Sequence, residues 1–506
     1  MSLLGSMLGE PRLASAGRSH VRSLLVLASL LGTALSLLSV ACGDSDPMDA
    51  SDAADAATDA PNVPPADAPD GTDALDSGAA PDPRGPYDPK DVPVVCDAAP
   101  CATQIVAGSD HFCARLSDGT VRCWGDDAFG VLGTFPEPDY GDGEGNGKAG
   151  SMVHTIADLA GVAHLSAAGA TTCALLDDGS VKCWGDNRRA QLGLEVDPPV
   201  ADEEPHPAPS LVPLEAAATK VDVGHGVTCA RLATGNLSCW GRDHQGQLVR
   251  GADDADLYPE LVRGPGLAAI EPLSLVHVAA STHTVLGLAA DGSVWSWGAL
   301  AGELGTVSGR IGSIPRSPTP KRLGALSNVT SLVASAWSEP SAAPLVSRPL
   351  PGEEPPKLPP QAHACALAGG EVHCWGRSYQ GALCTGFRDV EEEPALAPFP
   401  SSAKTWPQQL AVGDEITCAR TTEGSVYCCG SDKRGRLGTG TVGVLSASFT
   451  KAKAFTGHAV QVATTDRAVC ALVANGTVEC WGSNEKGELG TSPDDADHPS
   501  PVKVAL

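Results

Sequence analysis

The chain has 506 residues, a net charge of −27, and only 4% aromatic residues against 57 Gly and 41 Pro. The length has room for several domains, and the acidity argues against a nucleic-acid partner, whose phosphates would be repelled. With so few aromatics, any core must be built mainly from small and β-branched side chains.

In chain order, Arg12, Arg18 and Arg22 precede an apolar run over 24–41 that ends Leu38-Ser39-Val40-Ala41-Cys42. A basic stretch, an apolar stretch and small residues before a cysteine resemble a bacterial lipoprotein signal over residues 1–42. That resemblance implies that Cys42 is the lipid anchor and that the protein is exported to the cell envelope, as an outer-membrane or surface lipoprotein. A single transmembrane anchor is the alternative, since 18 apolar residues just suffice to span a bilayer. Residues 43–91 carry thirteen Asp and no Glu, with many Ala and Pro and almost no large apolar side chain. Such a segment cannot offset the entropy of ordering, so a disordered tether is expected. Thirteen Asp against Arg84 and Lys90 give it −11, and the leader gives +2, which leaves −18 for residues 92–506.

From there the chain rewrites one stretch seven times. CALLDDGSVKCWG, starting at Cys173, recurs from Cys113, Cys229, Leu286, Cys365, Cys418 and Cys470, at intervals of 60, 56, 57, 79, 53 and 52 residues. That is the period of a repeat architecture. Each copy reads as a β-hairpin. Asp177-Asp178-Gly179 suits a three-residue loop, a type I turn closed by a left-handed glycine. Folding about Asp178 sets Cys173 opposite Cys183, with Cβ atoms roughly 4.5–5.5 Å apart, within reach of a disulfide. The same symmetry pairs Cys113 with Cys123, Cys229 with Cys239, Cys418 with Cys428 and Cys470 with Cys480. In the fifth copy Cys365 and Cys374 stand one residue closer and the turn shrinks to Gly369-Gly370, which preserves the opposition. In the fourth copy both cysteines are gone together, replaced by Leu286 and Ser296. Paired cysteines behind an export signal fit an oxidising compartment.

A Trp-Gly follows in six copies, at Trp124, Trp184, Trp240, Trp297, Trp375 and Trp481, and suits a ring wedged between neighbouring sheets. A Leu-Gly ends most copies, as at Leu132-Gly133, Leu192-Gly193 and Leu489-Gly490. The run DGSVKCWGDNRRAQLG at 178–193 resembles the regulator of chromosome condensation repeat. Seven such repeats imply an all-β fold, a seven-bladed β-propeller of four-stranded antiparallel blades over 92–506. The cysteine-bearing form is similar to that of secreted bacterial members. Two cysteines break the pattern: Cys384 replaces the glycine of the fifth Leu-Gly, and Cys429 replaces the tryptophan of the sixth Trp-Gly. A Trp pressed on the preceding blade's Leu-Gly turn would couple these two places, so a Cys384–Cys429 cross-link is expected, with two independent thiols as the alternative. Cys96 and Cys101 remain, unassigned. The chain ends Pro501-Val502-Lys503-Val504, which looks like the opening strand of a blade, as in Pro209-Ser210-Leu211-Val212. This terminal strand is expected to complete blade one and close the ring.

No catalytic constellation, cofactor motif or metal-ligand spacing stands out. His111 and His363 share one place in the repeat, which is otherwise Thr171, Val227, Thr284, Ile416 or Ala468, and so read as structural rather than ligating. The polar run at 139–148 resembles the start of a calcium loop but has Val153 where position twelve needs Glu, and reads as a surface loop. Between the fourth and fifth copies lies a Pro-rich insertion, Ser338–Gln361, an extended loop at one rim.

Nuclear members of the family exchange nucleotide on a small GTPase and bind chromatin. Those activities are not carried over, because the exchange surface lies outside the repeated motif and an exported protein would not meet the GTPase. The expectation is a non-catalytic, surface-tethered, monomeric scaffold that binds a protein partner through the variable loops 139–150, 196–209 and, above all, Ser338–Gln361. Membrane contact would be through the N-terminal lipid only. The competing expectation is a lectin or enzyme using the central channel, which a cluster of acids and histidines from several blades would favour.

Overall fold

The computed structural model describes residues 87, 92–135, 152–194, 201–243, 245–249, 274–299, 316–336, 338, 361–386, 389–400 and 405–506. Cys42 and the rest of the expected export signal, the expected tether apart from Tyr87, loop 139–150, residues 196–200 and the interior of the insertion lie outside them.

Each repeat folds into one antiparallel sheet whose strands lie side by side in chain order. In blade two the strands are Val162–Ala168, Thr171–Leu176, Val181–Gly185 and His206–Leu211, from the channel outwards. Blades one, four, five, six and seven repeat this four-stranded pattern. In blade three the strands Ala218–Val223, Val227–Leu232 and Leu237–Gly241 are described, and residues 250–273 that follow are not. The hairpin at the centre of every blade has the register the turn chemistry dictates. Cys173 faces Cys183, Leu286 faces Ser296, and Cys365 faces Cys374 across a turn whose two glycines both have positive φ, +58° and +89°. The shorter turn therefore keeps the cysteines in line.

The terminal strand corrects one expectation. Asp494–Lys503 pairs with Val478–Asn484, through Glu479 with Lys503 and Cys480 with Val502, and so is the outer strand of blade seven rather than a part of blade one. The Pro-bounded strand His206–Leu211 is likewise the outer strand of its own blade. After Leu437-Gly438 in blade six and Leu489-Gly490 in blade seven the chain folds straight back on the hairpin it has just left, the short connection that antiparallel pairing allows. The ring is closed by packing instead of by a shared sheet. Phe112 and Trp124 of blade one bury against Val460, Leu472 and Leu489 of blade seven, with Val504 in the same cluster. Across that seam Ala102 N–H donates to Gly476 O at 3.1 Å and Asp466 N–H to Ser109 O at 2.8 Å.

The tryptophans set the contacts between blades. Trp240 is buried, and its indole N–H donates to Gln191 O of blade two at 2.9 Å. A Cβ on Gly193, which has φ +62°, would lie 2.8 Å from that indole nitrogen, so glycine there makes room for the next blade's ring. Trp184 donates to Val131 O at 2.9 Å, Trp297 to Gln247 O at 2.7 Å, Trp481 to Arg436 O at 2.9 Å, and Trp124 across the seam to Glu488 O at 3.0 Å. Each acceptor immediately precedes the leucine at the Leu-Gly position of the preceding blade. Such bonds are worth about 0.5–1.5 kcal/mol net each, and they fix where one blade sits on the next.

Candidate functional site

The central channel encloses about 330 Å³ and is lined by the innermost strand of each of the seven blades. These strands are sheet edges, and their outward N–H and C=O groups need partners. A break in register at the second residue of each innermost strand, such as Thr103 or Ala163, turns the third side chain towards the channel. In blades one, three, four, six and seven that third side chain then bonds the main chain of the next blade. Gln104 accepts from Leu165 N–H and donates to Leu165 O, both at 2.9 Å. Gln409 does the same to Val462 at 3.0 and 3.1 Å, and Gln461 accepts from Ile105 N–H at 2.9 Å.

Blades two to four carry His164, Lys220 and His277 at that place, with Asp222 two residues beyond Lys220. Lys220 Nζ lies 3.1 Å from Val276 O, 3.1 Å from Asp222 Oδ1 and 2.9 Å from His277 Nδ1. His277 Nε2 lies 3.0 Å from Leu332 O, so Nε2 carries a proton, and Nδ1 lies 2.9 Å from Asp222 Oδ1. Asp222 Oδ2 accepts from Val278 N–H at 3.0 Å. Burial opposes the charge of Asp222, but His277 and Lys220 outweigh it and hold its carboxyl at about 2. This is the acid–histidine cluster that would favour a channel site, yet Lys220, Asp222 and His277 are engaged with one another and with the backbone of blades four and five. His164, pushed below its usual pKa by burial, has a buried Nδ1 without a hydrogen-bond partner.

At one mouth of the channel, the turns between the first two strands of blades six, seven and one bring together Asp414, Glu415, Asp466 and Asp110. Asp414 N–H donates to Asp466 Oδ1 at 2.9 Å. Arg436 approaches Glu415 Oε2 at 3.3 Å and also donates to Asp466 O. Arg467 Nε lies 3.2 Å from Asp110 Oδ1, and its NH1 lies 2.7 Å from Glu485 Oε2. Burial, with Asp414 and Asp110 adding repulsion, pushes the Asp466 carboxyl up to about 7. Burial and Glu415 push Asp414 to about 6, against the bond from Ser338.

The base of the insertion rests on this cluster. Ser338 and Gln361 exchange two main-chain hydrogen bonds, both 2.9 Å. Ser338 Oγ donates to Asp414 Oδ1, while fully buried Gln361 reaches Asp414 Oδ1 and Glu415 Oε1 at 3.4 Å and accepts from Tyr379 N–H at 3.2 Å. Ser338 and Gln361 thus leave and rejoin blade five at a fixed place beside the channel mouth.

The six hairpin cysteine pairs stand with Cα atoms 4.0–4.2 Å apart and their sulfurs bonded. Cys96 bonds Cys101, and Cys384 bonds Cys429. His111 and His363 are buried, each 2.8 Å through Nε2 from a threonine of the next blade, Thr172 and Thr417. Burial lowers both to about 4, so they hold blades together as neutral rings. Among the described residues no group of three or more His, Cys, Asp or Glu is placed to hold a metal ion.

One motif escaped the sequence reading. Asn187–Asp202–His206 in blade two and Asn484–Asp494–His498 in blade seven form the same triad. Asn Nδ2 donates to Asp at 2.6 Å in both, and Asp lies 2.7 and 2.8 Å from the His four residues on. The spacing Asp-x-x-x-His-Pro was its signal, and its duplication marks it as a fastening for the outer strand.

The regulator of chromosome condensation (RCC1) repeat matches at residues 102–131, 162–191 and 408–436. The chain is similar to the ultraviolet-B receptor UVR8 of Arabidopsis thaliana, 24% identical over 408 residues, covering 76% of this chain and 78% of the receptor. It is 25% identical over 324 residues to the E3 ubiquitin-protein ligase HERC2 of Homo sapiens, 63% of this chain but only 6% of the ligase. Among solved structures, Prp20p from Saccharomyces cerevisiae superposes with a TM-score of 0.56 at 17% identity, over 82% of this chain and 88% of Prp20p. With seven blades, the Trp-to-turn bonds and these matches in hand, the chain is a seven-bladed β-propeller that matches the regulator of chromosome condensation repeat in three of its blades.

Proposed function

We propose that this chain is a non-catalytic, surface-tethered scaffold that binds a protein partner through rim loops, chiefly the insertion Ser338–Gln361, with Cys42 as its lipid anchor. The observation that carries the reading is the base of the insertion. Its two ends are bonded to each other and to Asp414 and Glu415 of the next blade, so the loop is presented from a rigid footing. Loops on rigid scaffolds are where binding specificity concentrates. The same fold serves protein binding elsewhere, since Prp20p binds Gsp1p and histones. Against a lectin or enzyme in the channel stands the use of its polar side chains to join blades, at Gln104, Lys220, His277, Gln409 and Gln461.

The test places a photo-crosslinking residue within 339–360, at His164 in the channel, or on the opposite rim at Asp178, in the anchored protein in its native envelope. A partner adduct from the insertion alone supports the scaffold. An adduct or a small-molecule footprint at His164, with none from the insertion, moves the function to the channel.

A further inference from the structure

The disulfide Cys96–Cys101 stands at the seam between blades seven and one, and the chain reaches it from outside the ring. Where blade three follows blade two, Ala218 N–H donates to Gly179 O at 2.7 Å and Ala233 N–H to Ala217 O at 2.8 Å. Ala102 and Cys101 repeat both bonds at the seam, Ala102 N–H to Gly476 O at 3.1 Å and Ser117 N–H to Cys101 O at 2.8 Å. A Cβ on Gly476 would lie 2.3 Å from Cys101 Sγ, so that sulfur rests directly on the turn of blade seven. On the other side of the disulfide, Val95 N–H and Asp97 N–H donate to Ala474 O and Asn475 O at 2.8 and 3.3 Å. Val92 and Val94 pack on the cluster shared by blades seven and one. Access also sets this disulfide apart. The cysteines of the six hairpin pairs, Cys384 and Cys429 are at most 2% exposed, whereas Cys96 is only half-buried.

We propose that Cys96–Cys101 is a thiol-exchange site, and that its reduction by a dithiol slackens the strap across the seam. A thiolate must reach one sulfur of the pair, and the accessible one belongs to Cys96. Attack forms a new S–S bond to Cys96 and expels Cys101 as its thiolate, which takes up a proton. The second thiol of the dithiol then displaces Cys96, so two electrons and two protons pass to the protein and the dithiol leaves as a cyclic disulfide. While the bond stands, the Cα atoms of Cys96 and Cys101 are 5.8 Å apart, against about 17 Å for the same stretch extended. Reduction therefore frees up to about 11 Å of chain between the contacts on blade seven and the entry into blade one. Val95 and Asp97 then hold by their own hydrogen bonds and the packing of Val92 and Val94, against the added freedom of the opened loop. The buried pairs keep each blade intact, so the response is confined to the seam. The site stands apart from the reading of the insertion as the binding loop.

Graded dithiothreitol on the full chain under native conditions, followed by alkylation and peptide mapping, tests the site. Cys96 and Cys101 are expected to be alkylated about tenfold sooner than any other cysteine pair. With 2-mercaptoethanol in place of the dithiol, the mixed disulfide is expected on Cys96 and not on Cys101. In the selectively reduced protein, amide protection at Val95, Asp97 and Ala102 is expected to fall about tenfold while Ala468–Val473 stays protected. C96S/C101S should reproduce that loss without any dithiol, and if it folds poorly the unmodified protein decides by itself. Reduction of a hairpin pair or of Cys384–Cys429 at the same rate overturns the site. So does selective reduction that leaves protection at Val95 and Asp97 unchanged.

Discussion

Cys429 occupies the place that tryptophan holds in the other six blades, and its Cα lies 5.7 Å from that of Cys384, where five of the Leu-Gly positions carry glycine. Cys384 has φ +57°, the left-handed conformation that glycine holds at Gly193 and Gly438. A side chain is tolerated there because the bulky indole it would have met has gone. One covalent bond thus replaces both the ring contact and its N–H···O bond to the turn.

C384S should cost about 2–4 kcal/mol in denaturant unfolding, the range for losing a native disulfide. C384G/C429W should recover most of that loss by restoring the contact found between Gly193 and Trp240. If the double variant is no more stable than C384S, the two sites are not alternatives for one function. Peptide mapping without reductant should also find the six hairpin pairs oxidised, and free thiols there would contradict the opposed register.

Deleting residues 499–506 removes half of the last outer strand and Val504, which is 3% exposed in the cluster between blades seven and one. Burial of the valine alone accounts for about 1.5–3 kcal/mol, and the strand's lost bonds to Val478–Asn484 add to it. A melting temperature lowered by several degrees, with new self-association through the bared edge, is the expected outcome. An unchanged melting curve would mean the seam does not depend on this strand.

Gln409→Ala leaves Val462 N–H and C=O facing the channel without their bidentate partner, at a cost of about 1–2 kcal/mol because channel water replaces part of the bond. Partner binding should be untouched. A variant of wild-type stability that has lost binding would assign Gln409 to a ligand instead.

Asp466 sets a direction for stability against pH. Its carboxyl is raised from 3.8 to about 7, so the folded state favours the proton. The stability it contributes is complete below 3.8 and is lost as pH rises through about 7, with little change beyond. D466N should therefore be more stable than the native chain at pH 8, by about 2 kcal/mol, and no more stable at pH 3.5. A destabilised variant at pH 8, measured by urea unfolding, would show that the carboxylate is needed there.

Much of the propeller was legible because the hairpin is a local object. A turn triplet such as Asp177-Asp178-Gly179 fixes the register, and the register fixes which cysteines meet. The ends of the blade were less legible. The strand at Asp494–Lys503 carries no mark of which sheet it joins, since Pro501-Val502-Lys503 fits an outer or an inner place equally well, and the choice is made by tertiary pairing. The channel residues were missed for a related reason. Gln104, Gln409 and Gln461 look like ordinary polar positions until the break in register aims them at the next blade. The mouth cluster depends on residues from three blades, Asp110, Asp414 and Asp466, which nothing in the local sequence connects.

Because each blade is a continuous length of chain, the backbone itself crosses six of the seven junctions, and the one between blades seven and one is held without it. The segment before blade one lies along blade seven, with Val95 N–H on Ala474 O at 2.8 Å and Asp97 bonded to Asn475 at 2.8 Å, before the backbone enters blade one at Ala102. A pull arriving from the N-terminal side therefore meets Tyr87 on Trp406 and Thr330 first, then blade seven, and only then blade one. The strap spans the only joint that could open like a split ring, so the closed circle resists tension at the point where it has no covalent continuity.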